Sequence, residues 1–181
     1  EEEGHRGRGE CVPYPRYNET VEGVVASLEA ARAMIETGFS HADVPRLVKP
    51  RAAQNALDCA LWDLEAKRAG KPVWQLALLQ QPRPMTTAYT LSLDTPEAMA
   101  KAAGEAGHRP LLKLKLGREG DVERLRQIRA AAPTSRLIID ANEGWTPSEL
   151  PLLLQTCAAV GVELVEQPLP VADDEALLRI T

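Results

Sequence analysis

Five residues near the ends of three apolar stretches have side chains that could do chemistry together. Leu112-Lys113-Leu114-Lys115-Leu116 alternates strictly, so as a strand it puts both lysines on one side and the leucines on the other. Leu137-Ile138-Ile139-Asp140-Ala141-Asn142 ends with Asp140 and Asn142 sharing a side, and Val162-Glu163-Leu164-Val165-Glu166 runs into Gln167-Pro168. Each has an ordinary explanation alone. The lysines suit the solvated face of an edge strand, Asp140 and Asn142 suit a turn or helix cap, and a single Glu166 suits a structural role. The combination reads differently. Lys115 and Asp140 are 25 residues apart and Asp140 and Glu166 are 26 apart, so the three recur at one level of successive strands. Thr90, 25 residues before Lys115, is expected at the equivalent place on the preceding strand. Neighbouring carboxylates repel unless a cation lies between them. Oxygen ligands from separate strands suit Mg²⁺, which takes few protein ligands and keeps positions open for substrate.

The elements that must position these residues repeat. Strands are predicted over 86–91, 111–116, 136–141 and 162–166, with helices over 95–106, 121–132, 147–160 and from 173 to 180. Four βα units with short loops require a parallel sheet. Their near-uniform length, without a Gly-x-Gly-x-x-Gly turn, favours a barrel over a doubly wound sheet. A full barrel has eight units, so residues 85–181 read as the N-terminal half of one. Before them, Gln80-Gln81-Pro82-Arg83-Pro84 reads as a linker. Residues 1–80 read as a partial α+β domain. A turn at Glu3-Gly4 leads to a strand over 7–12, followed by helices over 20–38 and 50–70. Asp63 and Lys67 are spaced as a helix-surface pair, and Trp62 and Trp145 as packing residues.

These motifs also carry a resemblance. The Lys-x-Lys strand, Asp-Ala-Asn-x-x-Trp at 140–145 and Glu-Gln-Pro at 166–168 resemble the muconate-lactonizing subgroup of the enolase superfamily. Ala60-Leu61-Trp62-Asp63-Leu64 resembles a helix of that superfamily's capping domain. Gly7 to Tyr14 with Arg16-Tyr17 is most similar to dipeptide epimerases acting on L-Ala-D/L-Glu. The resemblance implies a partial enolase-type modified TIM barrel with a partial capping domain. It implies Mg²⁺-dependent removal of the proton α to a carboxylate through an enediolate, with a dipeptide as substrate. Lys115 would be the acid/base, and Lys113 would lower its pKa and polarise the carboxylate. Asp140 and Glu166 would be two of three carboxylates holding the metal. Asn142 would support the metal site or serve a turn, and Thr90 would touch substrate or satisfy backbone groups. Arg16 and Tyr17 would reach substrate from a loop, although an exposed Arg is also commonly just solvated. A cycloisomerase, an o-succinylbenzoate synthase and an N-acylamino acid racemase could be built on the same half-site. The family's third carboxylate and second lysine fall outside residues 1–181, so the chain reads as part of a longer protein or as an inactive half-barrel.

Composition narrows the remaining classes. A net charge of −5 argues against nucleic-acid or anionic-membrane partners, and 44% hydrophobic residues are enough for a packed core. No apolar run reaches the roughly 18 residues of a membrane span, and Glu1-Glu2-Glu3-Gly4 does not read as the start of a signal peptide. Cys11, Cys59 and Cys157 are odd in number and far apart, which predicts buried thiols in a cytoplasmic protein. An open half-barrel exposes a sheet edge, so association with a second copy or a complementing chain is expected.

Overall fold

The computed structural model describes residues 2–180, and the chain divides into two compact units, Glu1–Arg83 and Pro84–Thr181. Helix α1 (Val21–Glu36) of the first unit starts where the Thr20 hydroxyl accepts the Gly23 N–H at 3.0 Å. A 3-10 turn, His41–Asp43, leads into the one-turn helix α2 (Val44–Leu47). The long helix α3 (Arg51–Ala69) buries Ala53, Leu57 and Leu61, spaced four apart, and stops at Gly70 in a left-handed conformation. A short helix α4 (Val73–Leu76) follows. Val24, Ala31, Val44, Val48, Ala53 and Leu57 form the core of this unit.

The strand expected over residues 7–12 does not form. Glu2 and His5 make an isolated bridge around the Glu3-Gly4 turn, and the next residues lie along α3. Their backbone is held by side chains of that helix. Asp63 Oδ2 accepts the Arg8 N–H at 2.7 Å, Lys67 Nζ donates to the Arg6 carbonyl at 2.9 Å, and Asn55 Nδ2 donates to the Glu10 carbonyl at 3.1 Å. The approach is close enough to require glycine, since a Cβ on Gly9 would stand 1.9 Å from the Ala56 carbonyl oxygen.

The second unit is built on a four-stranded parallel sheet in the order β1 (Tyr89–Leu91), β2 (Leu111–Lys115), β3 (Arg136–Asp140) and β4 (Val162–Glu166). Helices α5 (Pro96–Glu105), α6 (Asp121–Ala131) and α7 (Leu150–Ala159) follow the first three strands. Val171–Arg179 after β4 is a 3-10 helix rather than the expected α-helix, and β1 is shorter than expected, starting at Tyr89. Leu112, Leu114, Leu137 and Ile139 are fully buried and share a core with Met99, Leu125 and Ile128 of α5 and α6. The alternation from Leu112 to Lys115 therefore turns Leu112 and Leu114 to the helices and both lysines to the opposite side, half-buried.

Register explains the unequal spacing of the motifs. Leu111–Lys115 pair one for one with Arg136–Asp140, an offset of 25. Between β3 and β4 the pairing shifts from Leu137↔Val162 to Ile138↔Leu164, a bulge that adds one residue and puts Asp140 opposite Glu166. Strand β4 ends the sheet, with Leu164 51% exposed. Cys157 is buried and Cys11 half-buried, but Cys59 is exposed, contrary to the expectation for all three. No described helix is long and apolar enough to cross a membrane.

Candidate active site at the strand ends

Lys115, the last residue of β2, lies beside Asp140, the last residue of β3, because the two are register partners. Lys115 Nζ donates to Asp140 Oδ2 at 2.6 Å and to Asn142 Oδ1 at 3.0 Å. Lys113, two residues earlier and on the same side, donates to Glu166 Oε2 at 2.5 Å and lies 3.3 Å from Asp140 Oδ2. Asp140 is thus the hub. Its side chain is 4% exposed and its Oδ1 accepts the Asn142 N–H at 3.0 Å. Burial alone would raise its pKa. Hydrogen bonds from Lys115, the Asn142 backbone and Lys113 outweigh that and hold the carboxyl below its usual range. The hydrogen bond to Glu166 raises the pKa of Lys113 against the opposing effect of burial, with Asp140 adding to the rise.

The loop after β3 is tied into the strand beyond it. Glu143 N–H donates to the Gln167 carbonyl at 2.8 Å and Trp145 N–H to the Pro168 carbonyl at 3.1 Å. Asn142, Glu143 and Gln167 all have positive φ, so the chain turns sharply just where its polar groups are presented. A cleft of about 410 Å³ opens at these strand ends, lined by Ser92, Lys115, Arg118, Asn142 and Gly144 among others.

Thr90 is not at the level expected for it. It pairs with Lys113, because β1 and β2 are offset by 23 residues and not 25, and its side chain is exposed. Continuing that register puts Ser92 level with Lys115, and Ser92 lines the cleft. The 23-residue offset could have been found by aligning Tyr89-Thr90-Leu91 on Leu112-Lys113-Leu114 by hydrophobicity instead of by the average period. Arg16 and Tyr17 belong to a 3-10 turn, Pro15–Tyr17, of the first unit, where they line a groove with Thr20, Lys49 and Arg51. Asp63 and Lys67 pair at 2.6 Å as expected. Trp145 is buried, but it also donates Nε1–H to Asp121 Oδ2 at 2.8 Å, a link that spacing alone did not reveal.

The donor set can be tested for a divalent cation. Asp140 Oδ2 and Glu166 Oε2 converge on one ammonium, that of Lys113, so positive charge already sits between them. Two carboxylates are a common protein contribution to a Mg²⁺ site completed by water and substrate. No group of three or more His, Cys, Asp or Glu side chains suited to a metal occurs among the described residues. The pair therefore fits part of a Mg²⁺ site.

Comparison with known proteins agrees with this architecture. Residues 95–181 match the enolase C-terminal domain-like family, and residues 1–77 match the mandelate racemase/muconate lactonizing enzyme N-terminal domain. The chain is 42% identical to the L-Ala-D/L-Glu epimerase of Escherichia coli K12, over 98% of this chain and 56% of that protein. It is 37% identical to an N-acetyl-D-glutamate racemase of a Pseudoalteromonas species, over 97% of this chain and 56% of that protein. An Agrobacterium tumefaciens enolase family member with homology to dipeptide epimerases, solved with sodium and L-Ala-L-Glu, superposes with a TM-score of 0.91. Its identity is 49%, over 97% of this chain and 54% of that one. A dipeptide epimerase from Cytophaga hutchinsonii, complexed with Mg and D-Ala-L-Val, gives a TM-score of 0.81 at 29% identity, over 93% of this chain and 50% of that one. The chain thus spans about half the length of the proteins it matches. It belongs to the enolase superfamily, with the N- and C-terminal domains of the mandelate racemase/muconate lactonizing enzyme type.

Proposed function

We propose that this chain supplies half of an active site for 1,1-proton transfer at a carbon α to a carboxylate, epimerising dipeptides such as L-Ala-L-Glu and L-Ala-D-Glu. The observation that supports this most is the Lys115–Asp140–Asn142 cluster at paired strand ends, in a chain 42% identical to an epimerase of that substrate. An α-proton beside a carboxylate is very weakly acidic, so the base must be close and the developing charge must be met as it forms. Lys115, as the neutral amine, takes the proton from Cα. The C–H electron pair moves into the carboxylate to give an enediolate, and a proton given to the opposite face by a second acid, outside residues 1–181, inverts the centre while Lys115 keeps the proton it took. Asp140 and Asn142 hold the Lys115 amine in place, and Lys113 offers a second positive charge to the substrate carboxylate. Asp140 and Glu166 would hold Mg²⁺. When bound, the ion would supply positive charge against the substrate carboxylate. In this reading Thr90, beside Lys113, contributes a substrate contact. The exposed edge of β4 supports association with a second copy or a complementing chain.

The similarity to an N-acetyl-D-glutamate racemase favours a second reading. L-Ala-Glu and N-acetylglutamate are both glutamates acylated at nitrogen, and the same half-site chemistry serves either. The test is exchange of the α-hydrogen in deuterated water with Mg²⁺ and the full-length protein. Exchange from L-Ala-L-Glu with little from N-acetyl-L-glutamate is the expected result. The reverse preference would replace the first reading with the second, and exchange from neither would remove both.

A further inference from the structure

Asp121 opens α6 and is 2% exposed, yet it takes no part in the cluster just described. Its Oδ2 accepts the backbone N–H of Gly117 at 2.8 Å, that of Arg118 at 3.2 Å and the indole N–H of Trp145 at 2.8 Å. Its Oδ1 accepts Nη1–H of the buried Arg124 at 3.0 Å. Arg124 in turn donates to the carbonyls of Asp94 and Glu119, each at 2.7 Å. One buried ion pair thereby joins the segments that follow β1, β2 and β3. A buried pair is weak evidence for stability, because apolar residues of similar volume commonly serve as well or better. Its geometry gives it another role.

That role lies in the contact between two loops. Gly117 has φ +110° and runs against the loop after β3, where a Cβ would stand 2.2 Å from the Ala141 carbonyl oxygen. A Cβ on Gly144 would stand 2.4 Å from the Gly117 carbonyl oxygen. With backbone against backbone and no side chains interleaved, directional hydrogen bonds must set the mutual position of the loops. Asp121 supplies them, gripping the loop two residues beyond Lys115 and, through Trp145, the loop five residues beyond Asp140.

Resting on the proposal that Lys115 and Asp140 form the reacting cluster, we infer that Asp121 is a positioning residue that, with Trp145 and Arg124, sets the Lys115 amine against Asp140 and Asn142. It touches no substrate and acts through the backbone at the ends of β2 and β3. A misplacement of about 1 Å at a reacting group can cost on the order of a hundredfold in rate.

Asp121→Asn is the direct variant and risks loss of folding, so Trp145→Phe carries the test, keeping a ring and deleting one donor. In the full-length protein with Mg²⁺, well below its thermal midpoint, Trp145→Phe should lower kcat for α-hydrogen exchange from L-Ala-L-Glu by about tenfold or more. KM should stay within about twofold, because substrate contacts are untouched. Amide NMR gives a second reading independent of turnover. Trp145→Phe should speed hydrogen exchange at Gly117 and Arg118 and shift the Asn142 side-chain amide, while Met99 and Ala103 on α5 stay unmoved. A lowered thermal midpoint with kcat and the Asn142 resonance unchanged would mean that the network only stabilises the fold, and the inference would fall. If the unaltered protein exchanges no dipeptide hydrogen, the dipeptide reading fails, and the Asn142 resonance still decides whether Asp121 positions this loop.

Discussion

The two units use charge in opposite ways. In the first, three ion pairs run along helix surfaces between near neighbours, Glu29 with Arg32 at 2.6 Å, Asp63 with Lys67 at 2.6 Å, and Asp43 with Arg46, while Arg68 reaches the more distant Glu2 and Glu3 at the surface. The three near-neighbour pairs are solvated and follow from three- and four-residue helical spacing. In the second, Lys115 meets Asp140 across 25 residues of sequence and Lys113 meets Glu166 across 53. Those pairs exist only because parallel strands bring them into register, and they converge on a single carboxylate, Asp140, whose side chain is 4% exposed. A helix-local pair can be lost with little consequence. A register-made cluster concentrates unlike charges at one spot, which is what proton transfer and cation binding require.

The sharpest way to break this contrast is Lys115→Ala. If the strand-end cluster does the chemistry, exchange of the α-hydrogen from one stereoisomer should fall by about 10²- to 10⁴-fold. The fold should survive, since the Lys115 side chain is 35% exposed. Full exchange from both stereoisomers would show that Lys115 is an ordinary solvated lysine and that the second unit uses its charges no differently from the first.

The next effect is on stability. Asp121→Ala would leave the Arg124 guanidinium buried without its carboxylate and free three N–H donors, a loss of about 3–5 kcal/mol by urea denaturation. Glu29→Ala, which removes only an exposed i,i+3 pair with Arg32, should leave the urea midpoint almost where it was. Equal losses would erase the distinction between the two kinds of pairing.

The same distinction decides what could be read from the amino-acid sequence. A spacing of 25 or 26 residues was enough to put Lys115, Asp140 and Glu166 at one level, and the extra residue is the bulge where Leu164, not Glu163, pairs with Ile138. The same average period misplaced Thr90, because the first βα unit advances the register by only 23 residues. The segment over 7–12 has a strand's extended character but no strand to pair with among the described residues, so α3 side chains satisfy its backbone instead. Val171–Arg179 contains Asp173-Asp174 and five apolar residues without a buried stripe, and it winds as a 3-10 helix. The Asp121–Arg124 pair has the i,i+3 spacing of a helix, but the links from Asp121 to the Gly117 and Arg118 backbone and to the Trp145 indole were illegible. They follow from loops meeting in space.

The smallest effect concerns an exception within the first unit. His41 Nδ1 lies 2.5 Å from Asp58 Oδ1 and Nε2 lies 3.3 Å from Glu65 Oε2, while the ring centroid is 4.2 Å from that of Trp62. These partners are 17 and 24 residues away on α3, so this cluster, like the strand-end site, is made by tertiary structure. Both ring nitrogens face carboxylates, an arrangement that suits the imidazolium, in which both are donors. Burial opposes that charge, but the hydrogen bonds to Asp58 and Glu65 prevail and raise the pKa above its ordinary 6.5. With the folded value raised, the stabilisation is fully present below about pH 6.5 and is lost as pH rises through the folded-state pKa. Melting of the chain followed between about pH 6 and 8 should therefore show a fall that His41→Gln removes, with the two proteins differing most at the acid end. A melting profile that falls equally in both proteins would assign the pH dependence to another group and leave the first unit without a titrating cluster of this kind.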